Sequence, residues 1–443
     1  MTDVPTLDES SSSATTMTLG ERSGVPSDTA EREPKGYTLK YGLASYGLFL
    51  AILTPVLGGL SIKLQTLANG DLDQAAGNLA LVTGVGALFA LFTQPLVGRL
   101  SDRTRSKLGM RKPWILAGVI GAAACLIVIG FAPSVPIILI AWCGAQVCSN
   151  FAQAAETATI PDQVPAHRRG FVSGIQGACT PLAILTGAIG IAAFSSDLPR
   201  FAVPAIFGLA LGLLFAVTLK DRVLTGPRES QLSVKEFFSS FWFNPKKAPD
   251  LGWAWLSKFF VMFGYASIGT YLTLFLAAKF GMNTAEQAQF NMYANFVSVG
   301  GMVIFSLLGG PWSDKVGRRR TFVAVGAVIM AVGVGLMAIS PFFGLSLGLA
   351  VILIGEGLLG SGAGLFLAVD MALCTEVLPD KKNTAKDLGV LNIANALPQS
   401  IAPAAAGPII IAVGAMGYTV WFLIGAAVAV VGGLLIYKVR GVK

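Results

Sequence analysis

The sequence predicts an all-α membrane protein with about twelve transmembrane helices, arranged in two pseudo-symmetric six-helix bundles. Three observations predict this fold class: a high apolar content, apolar runs of membrane-spanning length, and motifs that recur in both halves of the chain. Of the 443 residues, 54% are hydrophobic and 13% are charged, and the mean hydropathy is +0.68. This composition excludes an ordinary water-soluble domain.

Apolar runs of roughly 20 residues, enough to cross a hydrocarbon core of about 30 Å, recur from Tyr41 to Tyr437. The predicted spans are roughly 41–62, 78–98, 113–132, 137–160, 170–194, 201–219, 251–277, 289–309, 321–340, 346–373, 388–412 and 418–437.

Polar stretches of the sequence set the domain boundaries. Residues 1–37 are rich in Ser, Thr and Pro and have no apolar stretch, which predicts a disordered cytoplasmic tail and excludes a signal peptide. A polar connection in the middle of the chain divides the spans six and six. The predicted order is a tail at 1–37, a bundle at 38–219, a cytoplasmic loop at 220–250, a bundle at 251–437 and a cytoplasmic tail at 438–443.

The net charge of +8 is concentrated in alternate connections between the spans. The opposite connections hold only Lys63, Arg200 and Lys279. The positive-inside rule therefore predicts that both termini face the cytoplasm of a cell (inner) membrane, and the charge needs no nucleic-acid partner to explain it.

The sequence contains none of the motifs that would indicate an enzyme or a cofactor. No Walker loop, zincin motif or nucleophile elbow is present. The five cysteines lie within or at the edges of spans and have no metal-ligand spacing. We therefore predict neither enzymatic activity, nor a metal, nor another cofactor.

Landmarks in the first half of the chain return in the second half at a nearly constant distance. GRLSD, ending at Asp102, matches GPWSD, ending at Asp314, and 314 − 102 = 212. Glu156 stands in the same register as Asp370, with 370 − 156 = 214. This register predicts a duplicated six-helix unit with a solute site between the halves near the bilayer midplane.

The two loop motifs, GRLSDRTRSKLGMRKPW (98–114) and GPWSDKVGRRRTF (310–322), place an Asp at a helix end before an Arg/Lys cluster. Such an Asp can pair with the bases and latch helix ends together in one conformation. From about Tyr41 onward the pattern resembles the major facilitator superfamily. Asp162-x-x-Pro165-x-x-x-Arg169-Gly170 is similar to the loop of proton-coupled sucrose and disaccharide transporters and, more loosely, of glycoside-pentoside-hexuronide transporters.

This resemblance implies the major facilitator fold and a cytoplasmic gate of charged residues. The alternative is that these charges only orient the helices and anchor them at the headgroups. The second span lacks the aspartates of the melibiose-type sodium site, which favours proton coupling, and the fifth lacks a clean Gly-Pro antiporter signature, which disfavours a drug exporter. The implied gate comprises Asp102, Arg103, Arg111, Asp162, Arg169, Asp314, Arg318, Arg319 and Glu376.

Four ionisable residues fall inside predicted spans: Glu356, Asp370, Glu156 and Lys258. Burying such groups in a bilayer is costly, so each needs a partner, a wet cavity or a function. We interpret them as candidates for ion coupling or substrate contact, and the alternative is structural ion pairing. The sole histidine, His167, lies in a loop, so carboxylates must carry any coupled proton.

Amide and hydroxyl side chains recur at helical spacing on the fourth, fifth, eighth and eleventh spans. They can match sugar hydroxyls, and aromatic rings can stack on a pyranose, whereas the alternative is hydrogen bonding between helices. The predicted substrate cavity comprises Tyr46, Trp142, Gln146, Asn150, Gln153, Gln176, Tyr265, Asn291, Asn295, Asn392, Asn395 and Gln399.

Together these features predict a monomeric alternating-access secondary transporter in the lipid bilayer, coupling protons to symport of a small solute, a disaccharide-like sugar. Two alternatives remain open: a proton-driven exporter of drugs or metabolites, and a membrane sensor that transports nothing.

Overall fold

The structure, a computed structural model, describes residues 33–224, 248–376 and 384–439, and within these ranges it is helical without a β-strand. Most of the predicted amino-terminal tail, the central-loop residues 225–247 and residues 440–443 lie outside the described residues. The helices are α1 Tyr37–Leu67, α2 Leu72–Asp102, α3 Lys112–Phe131, α4 Val135–Gln163, α5 Ala166–Ala193, α6 Asp197–Thr218, α7 Pro249–Gly269 continued by Leu272–Phe280, α8 Thr284–Val316, α9 Arg319–Ile339, α10 Leu345–Glu376, α11 Thr384–Val413 and α12 Gly417–Leu435.

The described helices confirm the prediction of about twelve membrane spans. Ten helical segments are long and apolar enough to cross a membrane, and α7, bent by 50° at its break, makes eleven. One of these segments, Ile393–Lys438, runs through both α11 and α12. The described chain therefore holds twelve helices of membrane-spanning character.

The helices pack as two bundles with the same internal arrangement. In the amino-terminal half α1 contacts α5 and α6, α3 contacts α4 and α6, and α2 contacts α4. The carboxy-terminal half repeats each pair six helices later. Between the halves α2 contacts α11 and α5 contacts α8, and a two-fold axis would exchange these two pairs. The predicted fold class is confirmed.

Small residues bring neighbouring helices into backbone contact. A Cβ atom on Gly360 of α10 would lie 1.8 Å from the Ser298 backbone oxygen of α8, and one on Gly364 would lie 2.2 Å from that of Met302. Lipid tails are as apolar as Leu, so helices in a membrane associate through such close packing rather than through the hydrophobic effect.

Local capping explains why the helices stop where they do. The Asp71 side chain caps the amino terminus of α2, and Asn283 with Glu286 forms a capping box at the start of α8. Gly281 and Gly317, with φ of 65° and 67°, end α7 and α8 in the left-handed conformation that favours glycine. Because the helices begin and end at these caps, the connections from α1 to α2, from α7 to α8 and from α8 to α9 are short turns.

Two helices are irregular at equivalent places. In α1, Pro55–Gly59 is π-helical, and in α7 the helix breaks between Gly269 and Leu272. The breaks keep the register of the duplicated motifs, since 270 − 58 = 212. Broken helices expose backbone carbonyls that can serve as hydrogen-bond acceptors inside the membrane.

The two ends of the helices carry different charges. We call the end at which α1 begins and α12 ends the basic face; it holds the ion pairs of Arg111, Arg168 and Arg319. We call the other end the opposite face; Lys63 and Arg200 both lie there against Asp197.

Candidate functional site

Hydrogen bonds to backbone carbonyls join the two halves near the opposite face. The Ser61 hydroxyl of α1 donates to the Thr270 oxygen at the break of α7, at 3.1 Å. The Asn291 amide of α8 donates to the Leu57 oxygen at the break of α1. The buried Tyr271 hydroxyl lies 3.2 Å from the Ala76 oxygen of α2, which lies in the other half of the chain.

Close packing closes the same region. A Cβ atom on Gly84 of α2 would lie 2.7 Å from that of Ala404 of α11, and one on Gly407 would lie 2.6 Å from that of Ala80. Any larger side chain at these glycines would push α2 and α11 apart. Together with the hydrogen bonds of Ser61, Asn291 and Tyr271, this contact forms what we call the seal.

Toward the basic face, several positions on α2, α5 and α8 have no close neighbour. At seven glycines of α2, α5 and α8, an added Cβ atom would have no neighbour within 4 Å, and six of the seven lie from the middle of their helix toward the basic face. Side chains of α8 from Val303 to Val316 are largely exposed. Packing around α5 and α8 therefore loosens toward the basic face. The six glycines are Gly98, Gly170, Gly174, Gly177, Gly300 and Gly310, and the seventh, Gly190, lies near the end of α5 at the opposite face.

The Tyr271 hydroxyl offers a direct test of the seal, because its single proton is shared between the Ala76 oxygen of the other half, at 3.2 Å, and the Pro403 oxygen of its own half, at 3.0 Å. Tyr271→Phe removes these bonds and nothing else, at a net cost of about 1 kcal/mol, so we expect roughly a fivefold shift toward states open at the opposite face. Spin labels are placed on the exposed residues Asn69 and Ala415, which lie in turns at the opposite face in different halves. Double electron–electron resonance then measures the distance between the two labels.

Tyr46→Phe is the matched control, since the Tyr46 hydroxyl bonds Thr186 within the amino-terminal half at 3.0 Å. It should leave the label distance unchanged. Identical distance distributions in wild type and Tyr271→Phe would contradict the role given to the seal.

Two of the four ionisable residues predicted within spans are paired with each other. Lys258 Nζ of α7 lies 2.7 Å from Asp370 Oδ2 of α10, and both side chains are buried. Cys374 Sγ lies 3.7 Å from the other carboxylate oxygen. This ion pair joins α7 to α10 in the basic half of the carboxy-terminal bundle.

The two glutamates have no such partner. Glu356 of α10 is 6% exposed and lies beside the Ser298 hydroxyl and Tyr265. Glu156 of α4 is 1% exposed, and its Oε1 has no hydrogen-bond partner. Among the described residues, no Lys or Arg forms an ion pair with either glutamate.

The predicted cavity residues divide by what their side chains contact. Some form hydrogen bonds within their own helix. The Asn150 amide donates to the Gln146 backbone oxygen at 2.8 Å, and the Gln399 amide donates to the Asn395 backbone oxygen at 3.2 Å. Others bridge helices: Gln176 reaches Thr157 of α4 at 3.3 Å.

Other predicted cavity residues belong to the seal or the core. Asn295 donates to the seal residue Asn291 at 2.7 Å. Trp142 is 1% exposed, packs against Gly86 of α2, and has an unpartnered indole N–H. The Asn392 side chain lies outside the described residues. Those half-buried between the seal and the basic face are Gln146, Gln153, Gln176, Tyr265 and Asn395.

On the basic face the first loop motif forms a compact charge cluster within the amino-terminal half. The Arg111 side chain, 5% exposed, lies 2.5 Å from Asp102 and 3.0 Å from Asp162, and it donates to Ser101 Oγ at 2.6 Å. The cluster therefore ties the end of α2 and the end of α4 to the start of α3. Arg169 donates to the Val164 oxygen at 3.0 Å and closes the end of α4.

Asp221, just after α6, is a member of this cluster that sequence reasoning missed. Its carboxylate accepts hydrogen bonds from the backbone N–H groups of Arg111 at 2.6 Å and Lys112 at 2.7 Å. It thereby caps α3, whose own N-cap residue makes no side-chain cap. Gly109, with φ of 111°, is required here, since a Cβ atom would lie 2.2 Å from the Asp221 carboxylate. The sequence offered two signals for this contact: an Asp directly after α6, and a Gly-x-Arg turn directly before α3.

The second copy of the motif is looser. Arg319 lies 3.1 Å from Asp314, and the Asp314 side chain is 67% exposed. Arg318 is exposed, and Arg103 in the first copy is half-buried and engaged in contacts. The Glu376 side chain lies outside the described residues. The structure thus brings Asp102, Arg111 and Asp162 together, apart from Asp314 and Arg319.

The chain is similar in sequence to a family of membrane transporters and to several curated proteins. A family model described as the Major Facilitator Superfamily matches residues 41–304 and 284–443. The chain is 48% identical over 50 residues to the sucrose transport protein SUC4 of Arabidopsis thaliana, which is 11% of this chain and 10% of that protein. The curated relatives are matched over 10% to 39% of their own length.

Solved structures share the whole fold. A bacterial homolog of the human lysosomal transporter Spinster, in an inward-facing and unoccupied conformation, aligns with a TM-score of 0.67 at 17% identity, over 92% of this chain and 99% of that one. A D-xylose-proton symporter aligns with a TM-score of 0.68 at 16% identity, over 92% and 98% of the two chains. At these identities the likeness concerns the fold alone.

Proposed function

Since the chain belongs to the Major Facilitator Superfamily, a family of membrane transporters and not of enzymes, we propose that it is a proton-coupled symporter of a disaccharide-like sugar. The observation that carries this proposal is that the two halves contact each other closely at the seal, whereas α5 and α8 pack more loosely toward the basic face. In this proposal the solute site lies between the halves, closed at one end by the seal, open toward the basic face, and bordered by the half-buried amides and by Glu356. Alternating access requires such a site between two bundles that can rock about it.

The basic face is assigned to the cytoplasm in this proposal. Arg111, Arg168 and Arg319 lie there, and positively charged connections are retained on the cytoplasmic side of cell membranes. Both ends of the chain then face the cytoplasm, and the structure corresponds to an inward-facing state of a monomer.

Three features support a sugar as the solute. Gln146, Gln153 and Gln176 are half-buried amides on α4 and α5 that can donate to and accept from hydroxyl groups. Sucrose transport proteins are among the relatives of the chain, and the D-xylose-proton symporter shares its fold. Half-buried Tyr265 supplies an aromatic surface for the apolar face of a pyranose.

Glu356 is the carboxyl group proposed to carry the coupled proton. It is buried on α10 beside Ser298 of α8 and close to Tyr265 of α7, so three helices of one half meet around it. An unpaired carboxylate is costly in a membrane interior, and a proton neutralises it. Protonation from one side and release to the other would then link proton flow to the rocking of the bundles.

The test is uptake by the purified protein in liposomes, with radiolabelled sucrose, lactose, maltose, glucose and xylose, with and without an inwardly directed proton gradient. We expect one disaccharide to accumulate above its external concentration only with the gradient. Glu356→Gln should retain exchange of that sugar but lose uphill accumulation by about tenfold or more, since a fixed neutral group cannot release a proton.

Glu286→Gln is the control, because Glu286 is exposed on the opposite face and Gln also completes the capping box of α8. It should accumulate sugar like the wild type. Proton-driven efflux of drugs without sugar uptake would instead indicate the exporter. Absence of any solute flux in active, well-folded protein would indicate the sensor.

A further inference from the structure

Two cations at the basic face of the carboxy-terminal half have no acidic partner. Arg320, at the start of α9, donates through Nη1 to the Val439 backbone oxygen at 2.6 Å. Lys438 ends the 3₁₀ turn that follows α12, and its Nζ lies 4.3 Å from the centre of the Trp253 ring of α7. Among the described residues, no Asp or Glu forms an ion pair with either side chain. A carbonyl and an aromatic ring do not neutralise a cation, so both charges remain uncompensated.

The equivalent junction in the amino-terminal half contains its own anion. There α6 packs against α3, as α12 packs against α9. Asp221, just after α6, accepts hydrogen bonds from the backbone N–H groups of Arg111 at 2.6 Å and Lys112 at 2.7 Å. After α12 the chain supplies Lys438 and the neutral carbonyl of Val439 instead. The carboxy-terminal half therefore leaves the anion at this junction to be supplied from outside the described chain.

The side chains near these two cations suit the edge of a membrane. Tyr437 is exposed, and so is Leu434, one turn earlier on α12. On α9, Val325 and Val328 are exposed about one and two turns further into the helix than Arg320. Aromatic rings collect at the level of the lipid headgroups, and aliphatic side chains deeper in the bilayer contact acyl chains. The cations therefore lie at headgroup level, next to exposed apolar side chains of α9 and α12.

We propose that Arg320 and Lys438 bind the phosphate group of an anionic phospholipid whose acyl chains lie along α9 and α12. The Arg320 guanidinium group keeps N–H donors that the Val439 oxygen does not use, and the Lys438 ammonium group is exposed. Basic pockets between membrane helices bind anionic headgroups in this way. A phospholipid is favoured over free phosphate, because the bilayer itself holds lipid headgroups beside these two side chains.

The lipid site joins three helices of one half. Trp253 belongs to α7, Arg320 belongs to α9, and Lys438 and Val439 follow α12. A phosphate group bound between the two cations removes their mutual repulsion and holds these helix ends together. Asp221 does the equivalent work in the other half, between α6 and α3. Lipid binding here stabilises the carboxy-terminal bundle whatever the solute or the coupled ion.

The test measures lipid binding to the purified full-length protein by native mass spectrometry. Phosphatidylglycerol and phosphatidylcholine with identical acyl chains are added in turn, so the two lipids differ in headgroup charge. The wild type should bind phosphatidylglycerol more tightly. Lys438→Gln leaves the bond from Arg320 to Val439 intact and should weaken this binding about fivefold, because each basic residue near the surface contributes about that factor. Adding Arg320→Gln should bring the loss to about 25-fold.

Arg222→Gln is the matched control, because Arg222 is an exposed cation just after α6, beside Asp221. It should bind phosphatidylglycerol like the wild type. Lys438→Gln carries the test alone if the double variant does not fold. The proposal is overturned if the wild type binds the two lipids equally, or if Arg222→Gln loses as much affinity as Lys438→Gln. Displacement of phosphatidylglycerol by an equal concentration of inorganic phosphate would also overturn it, since the site would then take a free anion.

Discussion

Lys258→Met on its own is expected to lower the free energy of unfolding by about 3 to 5 kcal/mol, the cost of leaving one member of a buried ion pair uncompensated. Lys258 and Asp370 are 9% and 5% exposed at their side chains and 2.7 Å apart, so water cannot replace the lost partner. Thermal unfolding in detergent, followed by the fraction of monodisperse protein that remains, measures the effect.

The double variant Lys258→Met with Asp370→Leu should recover most of the lost stability, since both charges are removed and the space stays filled. The same double variant also separates structure from coupling. Retained proton-driven accumulation would identify the pair as structural, and full recovery of stability with loss of accumulation would give it a part in transport. A Lys258→Met protein as stable as the wild type would contradict the buried pair.

Sequence periodicity and duplication predicted the twelve helices, because membrane spans must be long, apolar and internally hydrogen-bonded. The same register identified Glu156 and Asp370 as equivalent positions in the two halves. It did not predict that one would be paired and the other not, because pairing depends on which residue of α1 or α7 faces the acid. Lys258 of α7 lies 2.7 Å from Asp370, whereas no ion pair of Glu156 is found among the described residues, and only the packed bundle shows this difference.

The breaks in α1 and α7 were not predicted, since runs of apolar residues read as continuous helices. Pro55 and Gly58 in α1 are tolerated because the exposed Leu57 carbonyl is satisfied by Asn291, which is distant in sequence. Asp221 was missed for a similar reason: its bonds to the Arg111 and Lys112 N–H groups join elements separated by four helices. Long-range polar contacts leave no local periodicity.

Arg111→Gln is expected to reduce transport by about tenfold or more while leaving membrane insertion unchanged, because a shift of about 1.4 kcal/mol between conformations is tenfold in their ratio. Arg111 is 5% exposed and holds Asp102, Asp162 and Ser101 together. Asp102 is 59% exposed and screened, so most of the loss arises at Asp162 and Ser101. Arg111→Lys should recover transport only in part, since an ammonium group lacks the planar fork that reaches three partners.

Arg319→Gln is the matched control in the second copy of the motif. Its partner Asp314 is 67% exposed, and solvent-exposed pairs contribute about 1 kcal/mol or less. We therefore expect less than about a fivefold loss there, measured by the same uptake assay, with membrane insertion of each variant checked by quantitative blotting. Equal losses in the two variants would mean that the loop motifs act by net charge at the membrane surface. A loss of transport in Arg111→Gln alone would mean that the buried contacts joining α2, α3 and α4 at the basic face are needed for the change between conformations.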